Sequence, residues 1–162
     1  MESFKSFSGI VVMIDHFWRG SSNKVGCNKL VSVQNPSRQL VNFVVSPDTY
    51  FVNKVMVNIG DRVNVFYDEN QPTPLIFPPQ LQALVISKPS QLQNVKVDYF
   101  DRNLISSDGT LQLNVSPFTQ IILENGQVFL GDITNRNLIV VYGPTTKSIP
   151  PQTTPYKIIV MC

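Results

Sequence analysis

The stretch that decides the fold is residues 44–49, VVSPDT, because it returns 70 positions later as residues 114–119, NVSPFT. A second pair follows in the same order, since residues 77–80, FPPQ, return as residues 149–152, IPPQ. Matches that keep their order along a chain indicate a tandem duplication. The sequence therefore predicts two copies of one small domain.

Four further matches extend the repeat. They pair Gly60-Asp61 with Gly131-Asp132, residues 63–67 with 138–142, residues 84–86 with 158–160, and residues 15–17, DHF, with residues 98–100, DYF. The joint falls near residues 88–91, KPSQ. We therefore expect the first domain over residues 1–88 and the second over residues 89–162.

Turn-forming residues divide the chain into short runs that are rich in valine and isoleucine. Proline, glycine, asparagine and serine recur about every 8–12 residues, which is typical of an all-β barrel or sandwich. The dipeptides Asp108-Gly109 and Asn125-Gly126 are strong hairpin signals. No run of a dozen residues has the apolar period of a helix. The predicted fold class is therefore all-β.

Each copy reads as five strands in the order of an oligonucleotide/oligosaccharide-binding (OB) barrel. The expected strands are residues 9–18, 29–35, 39–52, 62–68 and 81–88, and then 94–101, 103–107, 110–123, 137–143 and 156–162. Pro47 and Pro117 fall inside the long third strands. Proline cannot donate to a strand ladder, so we expect an edge, a bend or a bulge there. The prediction is two tandem five-stranded OB-like barrels from an internal duplication.

Two motifs of the first copy carry a resemblance. Val-x-Pro-x-Thr at residues 45–49 and Gly-Asp-x-Val-x-Val-x-Tyr at residues 60–67 resemble the small OB-like barrels of Gram-positive bacterial surface and envelope proteins. Residues 67–80 are similar to clostridial-type proteins of this group. The likeness weakens in the second copy, where residues 133–137 follow the Gly-Asp pair. It implies an OB-like fold and a bacterial source, and it implies no particular activity.

Composition narrows the function classes. Of the 162 residues, 43% are apolar and 15% are charged, against about 25% charged in an average domain. A net charge of +2 argues against a dedicated duplex-DNA binder, which concentrates basic residues on one face. One histidine and two distant cysteines argue against zinc fingers, iron–sulfur clusters and a disulfide-stapled mini-protein.

The N-terminal apolar run is short. Residues 10–14, IVVMI, are closed by Asp15 and His16. Five apolar residues are too few for a signal-peptide core or a bilayer span. We therefore expect no signal peptide and no membrane span. The favoured location is a cell or spore surface, and the alternative is the cytoplasm.

Neither catalysis nor metal binding has a motif. His16 has only Asp15 beside it, on the opposite strand face, and Tyr99 stands at the matching position of the second copy. We interpret His16 as part of an aromatic cluster at a barrel rim. The acids of residues 68–70, DEN, lack the spacing and the glycine of a calcium loop. The sequence thus predicts no enzyme, no catalytic residues, no metal site and no cofactor.

Cys27 and Cys162 belong to different copies. In a reducing cell both are expected to be free thiols. The alternative is an intersubunit disulfide that joins successive copies head to tail, since heterologous contacts of that kind produce open filaments.

Two functions follow as hypotheses. Residues 138–141 and 158–161 are apolar on both strand faces, so one face is expected against its own barrel and the other against the sister barrel or another subunit. The first hypothesis is a structural subunit whose partners are copies of itself, with residues 1–8 and 156–162 as contact segments. The alternative is a module for single-stranded nucleic acid or glycan, whose stacking aromatics would be Phe17, Trp18, Tyr50 and Tyr67.

Overall fold

The structure is a computed structural model that describes residues 2–17 and 25–162. The chain divides into two compact units, Met1–Pro89 and Ser90–Cys162. Strands and irregular connections make up the described residues, which include one short 3-10 turn at Val52–Lys54 and no α-helix. The all-β prediction is confirmed.

The first unit contains a mixed sheet of seven strands. The strands are β1 (Phe4–His16), β2 (Lys29–Gln34), β3 (Leu40–Val45), β4 (Tyr50–Phe51), β5 (Arg62–Asp68), β6 (Gln80–Gln82) and β7 (Val85–Ser87). Their order across the sheet is β4-β7-β5-β1-β2-β3-β6. Strands β1, β2 and β3 form an antiparallel meander, and β6 lies parallel to β3. The short strands β4 and β6 are thus the first and last strands in this order.

Strands β6 and β7 are separated only by Ala83 and Leu84, whose backbone amides donate to two different strands. The amide of Ala83 donates to the carbonyl of Val44 on β3, at 3.0 Å. The amide of Leu84 donates to the carbonyl of Phe66 on β5, at 2.9 Å. Residues 83–84 therefore join two strands that are not neighbours in the sheet, β3 and β5.

In the second unit the strands form two smaller sheets instead of one. Its strands are β8 (Asn94–Phe100), β9 (Gln112–Leu113), β10 (Gln120–Leu123), β11 (Arg136–Tyr142), β12 (Gln152–Thr153) and β13 (Lys157–Val160). One sheet has the order β10-β13-β11-β8, and the other pairs β12 with β9 in parallel. The prediction of five strands in each copy was therefore wrong in detail. Residues 103–107 form only isolated bridges at Ile105 and Ser106, and several other predicted strands are divided.

The long third strands were predicted as continuous and are interrupted instead. Predicted strand 39–52 becomes β3 and β4, and 110–123 becomes β9 and β10. A turn separates the pieces, because the amide of Thr49 donates to the carbonyl of Ser46 and Thr119 does the same with Ser116. Proline fits such a turn and cannot donate to a ladder, which explains why the interruption lies at the Ser-Pro pair.

The threonine that ends each Ser-Pro-x-Thr motif anchors this turn to the last part of its unit. The hydroxyl of Thr49 donates to the carbonyl of Ala83 at 2.8 Å, and that of Thr119 donates to the carbonyl of Pro155 at 2.9 Å. Both threonines are buried, and each hydroxyl also accepts from the serine amide of its own motif. The repeated threonine is therefore a packing requirement, since it satisfies buried backbone groups.

Each unit has its own hydrophobic cluster. In the first unit Phe43 is fully buried among inward-facing residues of five strands, namely Val11, Val31, Val33, Val41, Val45, Val63, Val65 and Ile86. In the second unit Phe100 is equally buried beside Leu138, Val140, Ile158 and Val160. All four residues of 138–141 are 0% exposed, so this strand is buried on both faces, as its sequence predicts.

One match of the repeat is wrong. On β1, Gly9 pairs with Val63, and on β8, Asp98 pairs with Leu138. Since residues 63–67 match 138–142, Asp98 corresponds to Gly9 and not to Asp15. Tyr99 is therefore not the counterpart of His16: β1 continues to His16 by pairing with β2, whereas β8 ends at Phe100.

Candidate functional site

Of the four aromatics considered as stacking platforms, the three that the structure describes do not form one site. Tyr67 packs in the core of the first unit, with its ring centroid 6.2 Å from that of Phe43. Burial raises the pKa of the Tyr67 phenol, and the charge of Glu69 raises it further. Phe17 and Tyr50 are half-buried, and Phe17 follows β1 at the end opposite to the Lys5–Tyr67 pair. Trp18 lies outside the described residues.

His16 and Asp68 lie at opposite ends of β1, because Asp68 pairs with Phe4. His16 is exposed at the end of β1. Asp68 is buried and accepts hydrogen bonds from the backbone amides of Ser3 and Asn70, at 2.9 and 3.0 Å. Among residues 2–17 and 25–162, no group of three or more His, Cys, Asp or Glu side chains is placed to hold a metal ion. Asp68 therefore fixes a turn.

The cysteines and the predicted contact segments have distinct surroundings. Cys27 and Cys162 are free thiols and both are exposed. Strand β13, inside the predicted contact segment 156–162, pairs with β10 on one side and β11 on the other. Because β13 has partners on both sides, residues 157–160 offer no free strand edge. The contact of residues 156–162 with another copy stays a prediction.

A small polar pocket lies on the outer face of β3 and β6 in the first unit. Leu81 points into the core, so Gln80 and Gln82 point outward. Their partners in the parallel register are Asn42 and Val44. The irregular segment of residues 69–79 forms the opposite wall and supplies four lining residues, Gln71, Pro72, Thr73 and Pro74. The volume is about 230 Å³.

Carboxamides provide most of the polar groups that line this pocket, which we call the amide pocket. Gln71, Gln80 and Gln82 line it, and Asp68 is its one ionisable lining residue. Within the described part of the chain, the side chains of Thr73 and Gln80 have no hydrogen-bond partner, while Gln82 makes only a 3.5 Å contact with the neighbouring carbonyl of Ala83. These groups are free to bind a ligand.

The matching face of the second unit is bonded to itself. Asn114 donates from its carboxamide to that of Gln152, the counterpart of Gln80, at 3.0 Å. The facing loop is also closed, because the hydroxyls of Thr146 and Ser148 lie 2.6 Å apart and Thr146 accepts from the amide of Gln152 at 2.9 Å. The glutamine shared by the two units therefore has a side-chain partner in the second unit, Asn114, and has none in the first.

The exposed apolar side chains of the first unit include a loop and a groove. Leu75, Ile76 and Phe77 are consecutive, and Leu75 and Phe77 are 102% and 92% exposed. We call these three residues the apolar loop. A groove of about 390 Å³ lies over β1, with Ile10, Val12 and Pro36 among its lining residues. We call it the β1 groove. Neither feature is needed for the core of its unit.

A short ion pair joins β8 to a turn of the second unit. The ammonium of Lys96 lies 2.6 Å from the carboxylate of Asp108. Burial acts to raise the pKa of Asp108, but hydrogen bonds from Lys96, Ser106 and Thr110 hold it well below its usual range. All of these groups are used within the turn, in which Gly109 has a φ of 73°. The network therefore stabilises a hairpin rather than forming a reactive site.

The residues that matter most here were missed from the sequence. The alternation Gln80-Leu81-Gln82 places both glutamines on one strand face, and that signal was available. The run of residues 75–77 between prolines was a signal of an exposed apolar segment. Its exposure depends on the path of the loop, which the sequence does not specify.

Comparisons with known proteins add no relatives: no family model, no curated protein and no solved structure matches the chain. In the part of the chain that the structure describes, no helix combines the length and the apolarity needed to cross a bilayer.

Proposed function

We propose that the protein is a non-enzymatic structural subunit that self-assembles into a fibre, appendage or coat on a bacterial cell or spore surface. The observation that carries this proposal is the apolar loop, with three consecutive exposed apolar side chains. Monomeric proteins rarely expose such runs unless they serve an interaction. Ile149 is 98% exposed at the matching position of the second unit, which supports a second contact of the same kind.

The β1 groove is the surface to which the apolar loop of another copy would bind. Ile10 and Val12 provide apolar area, and Pro36 adds a rigid wall. Loop and groove are different surfaces of one unit, so their contact is heterologous. Repeated heterologous contacts that do not close into a ring form an open filament.

A strand edge supports the same proposal. Strand β1 pairs with β5 along Phe4–Ile10 but with β2 only from Ile10 to His16. One side of residues 4–9 therefore has no partner strand in the described part of the chain. An open edge of this kind can accept a strand from a neighbouring copy. Exposed Cys27 and Cys162 could then join successive copies by an intersubunit disulfide under oxidising conditions.

We also infer that both units are OB-like barrels, as in the Gram-positive surface proteins that the sequence resembles. The bonds of Ala83 to β3 and of Leu84 to β5 support closure of the first sheet by its last segment. In the second unit, β12 beside β9 and β13 beside β11 support the same arrangement. The resemblance is also what favours a cell or spore surface as the location.

A second candidate function is a ligand-binding module, and the amide pocket favours it. The predicted aromatics that the structure describes are scattered, so stacking of successive bases or sugars is not its basis. The carboxamides of Gln80 and Gln82 on β6 are the specific observation that supports binding.

Light scattering and negative-stain microscopy of the purified chain test the self-assembly proposal. We expect particles whose mass rises with concentration. The triple variant Leu75→Ser, Ile76→Ser, Phe77→Ser should remain a monomer, while Leu92→Ser, which changes an exposed leucine elsewhere, should assemble like the parent. A parent chain that stays strictly monomeric at every concentration would contradict the proposal.

A further inference from the structure

We propose that the amide pocket binds a neutral, hydroxyl-rich ligand, namely a small saccharide. This inference deepens the second candidate function, on which it rests, and it does not depend on self-assembly. The juxtaposition that carries it is two outward glutamines of β6 facing the segment of residues 69–79, with Gln71 and Thr73 on that segment.

Hydrogen-bonding capacity favours hydroxyl groups as ligands. Each carboxamide offers two N–H donors and a carbonyl acceptor, and a hydroxyl both donates and accepts. Gln80 and Gln82 lie two residues apart on one strand face, so their amides are side by side. Adjacent hydroxyls of a sugar ring can therefore bond to neighbouring carboxamides, and the Thr73 hydroxyl can add a bond from the opposite wall.

Charge excludes an anionic ligand. No lysine, arginine or histidine is among the lining residues, so a phosphate would find no positive partner. The one ionisable lining residue is Asp68, which is buried and already accepts from the amides of Ser3 and Asn70. A carboxylate at this position repels the phosphates of a nucleic-acid backbone, and proteins bind that backbone mainly through cationic side chains.

Shape and apolar surface agree with one or two sugar rings. The volume of about 230 Å³ is below the roughly 300–1,000 Å³ of sites for drug-sized ligands. Pro72, Pro74 and Leu84 line the pocket between the polar groups. Their apolar atoms can pack against the C–H face of a sugar ring while its hydroxyls bond to the amides.

The second unit provides an internal comparison. Its counterpart of Gln80 is Gln152, which is bonded to Asn114 and therefore has less capacity left for a ligand. The inference assigns binding to the first unit alone.

Titration of the isotope-labelled full chain, followed by NMR, tests the inference. The probes are glucose, galactose, mannose, N-acetylglucosamine, maltose and cellobiose, with inorganic phosphate and a single-stranded oligothymidine as charged probes. We expect saturable shifts of the Gln80 and Gln82 side-chain amides with at least one sugar. Gln80→Met should weaken that binding about five- to tenfold, as for the loss of one neutral hydrogen bond. Gln152→Met should leave it unchanged.

Three results would overturn the inference. Shifts with the oligothymidine or with phosphate but with no sugar would preserve a binding module and exclude the saccharide. Sugar-induced shifts confined to other surfaces would exclude the amide pocket. No shift with any probe would exclude both the saccharide and the second candidate function, and it would leave the scattering test of self-assembly unaffected.

Discussion

The two units share the same turn motif but differ in the hydrogen bonding of their outer faces. Both have a Ser-Pro-x-Thr turn whose threonine donates to a buried carbonyl, at Thr49 and at Thr119. Yet Gln80 is free in the first unit, whereas its counterpart Gln152 is bonded to Asn114. The difference teaches that the residues identical in both copies maintain the fold, while a substitution at a matched position, Asn114 in place of Val44, decides whether the neighbouring glutamine is free for a partner.

The largest effect is expected when either core loses its central ring. Phe43→Ala and Phe100→Ala each remove a fully buried aromatic, so each should lower the free energy of unfolding of its unit by about 3–5 kcal/mol. Urea unfolding, with NMR signals of each unit as the reporter, measures this. A loss below about 1 kcal/mol for one of them would show that its unit is not built around that ring.

The next effect compares the two turns. Thr49→Val and Thr119→Val keep the side-chain volume but remove the hydroxyl, which leaves the carbonyl of Ala83 or of Pro155 without its partner. We expect a loss of about 1–3 kcal/mol in each case, because an unsatisfied buried acceptor is costly. Chemical denaturation of both variants measures it. If only one variant is destabilised, the motif has different roles in the two units.

A smaller effect is specific to the second unit. Hydrogen bonds from Lys96, Ser106 and Thr110 outweigh burial and lower the pKa of Asp108. A lowered carboxyl pKa contributes stability above the unfolded value of about 3.9, and this contribution is lost as the pH falls below it. Asp108→Asn should therefore cost up to about 1 kcal/mol at pH 7, because the pair is partly exposed.

The pH profile separates this effect from a simple packing change. The difference between Asp108→Asn and the parent should shrink as the pH falls below about 4. A difference that stays constant from pH 7 to pH 2 would show that the charge of Asp108 does not matter for the turn.

The smallest effect on stability comes from opening the second unit. Asn114→Ala removes the exposed bond to Gln152 and should change the free energy of unfolding by less than about 1 kcal/mol. The same variant should give the side-chain amide of Gln152 a new response to the sugar that binds the first unit, measured by the same NMR titration. If Gln152 stays unresponsive, the closed loop at Thr146 and Ser148 also blocks that face.

Local sequence patterns account for the strands that were predicted correctly from the sequence. The valine-rich run around Asn64 predicted a strand over residues 62–68, and the structure has β5 at Arg62–Asp68. The apolar run 138–141 predicted a strand buried on both faces, which is confirmed. These predictions succeeded because the two-residue period of a strand is present in the sequence itself.

The candidate sites were less predictable. Tyr67 and Phe17 are both aromatic, but only the register of β1 against β5 shows that they lie at opposite ends of a long strand. Aromatic residue type alone does not distinguish a ring that fills a core from one that binds a ligand. The amide pocket likewise depends on the segment of residues 69–79, whose path has no periodic signal.

The sequence by itself determined the repeat, the strand class and the positions of the turns, because proline, glycine and alternating apolar residues act over a few neighbouring positions. Only the tertiary structure decided which strands pair and which carboxamides stay free. Those outcomes depend on contacts between residues about 40 positions apart, such as Asn42 with Gln80, and such pairings follow from packing rather than from local pattern.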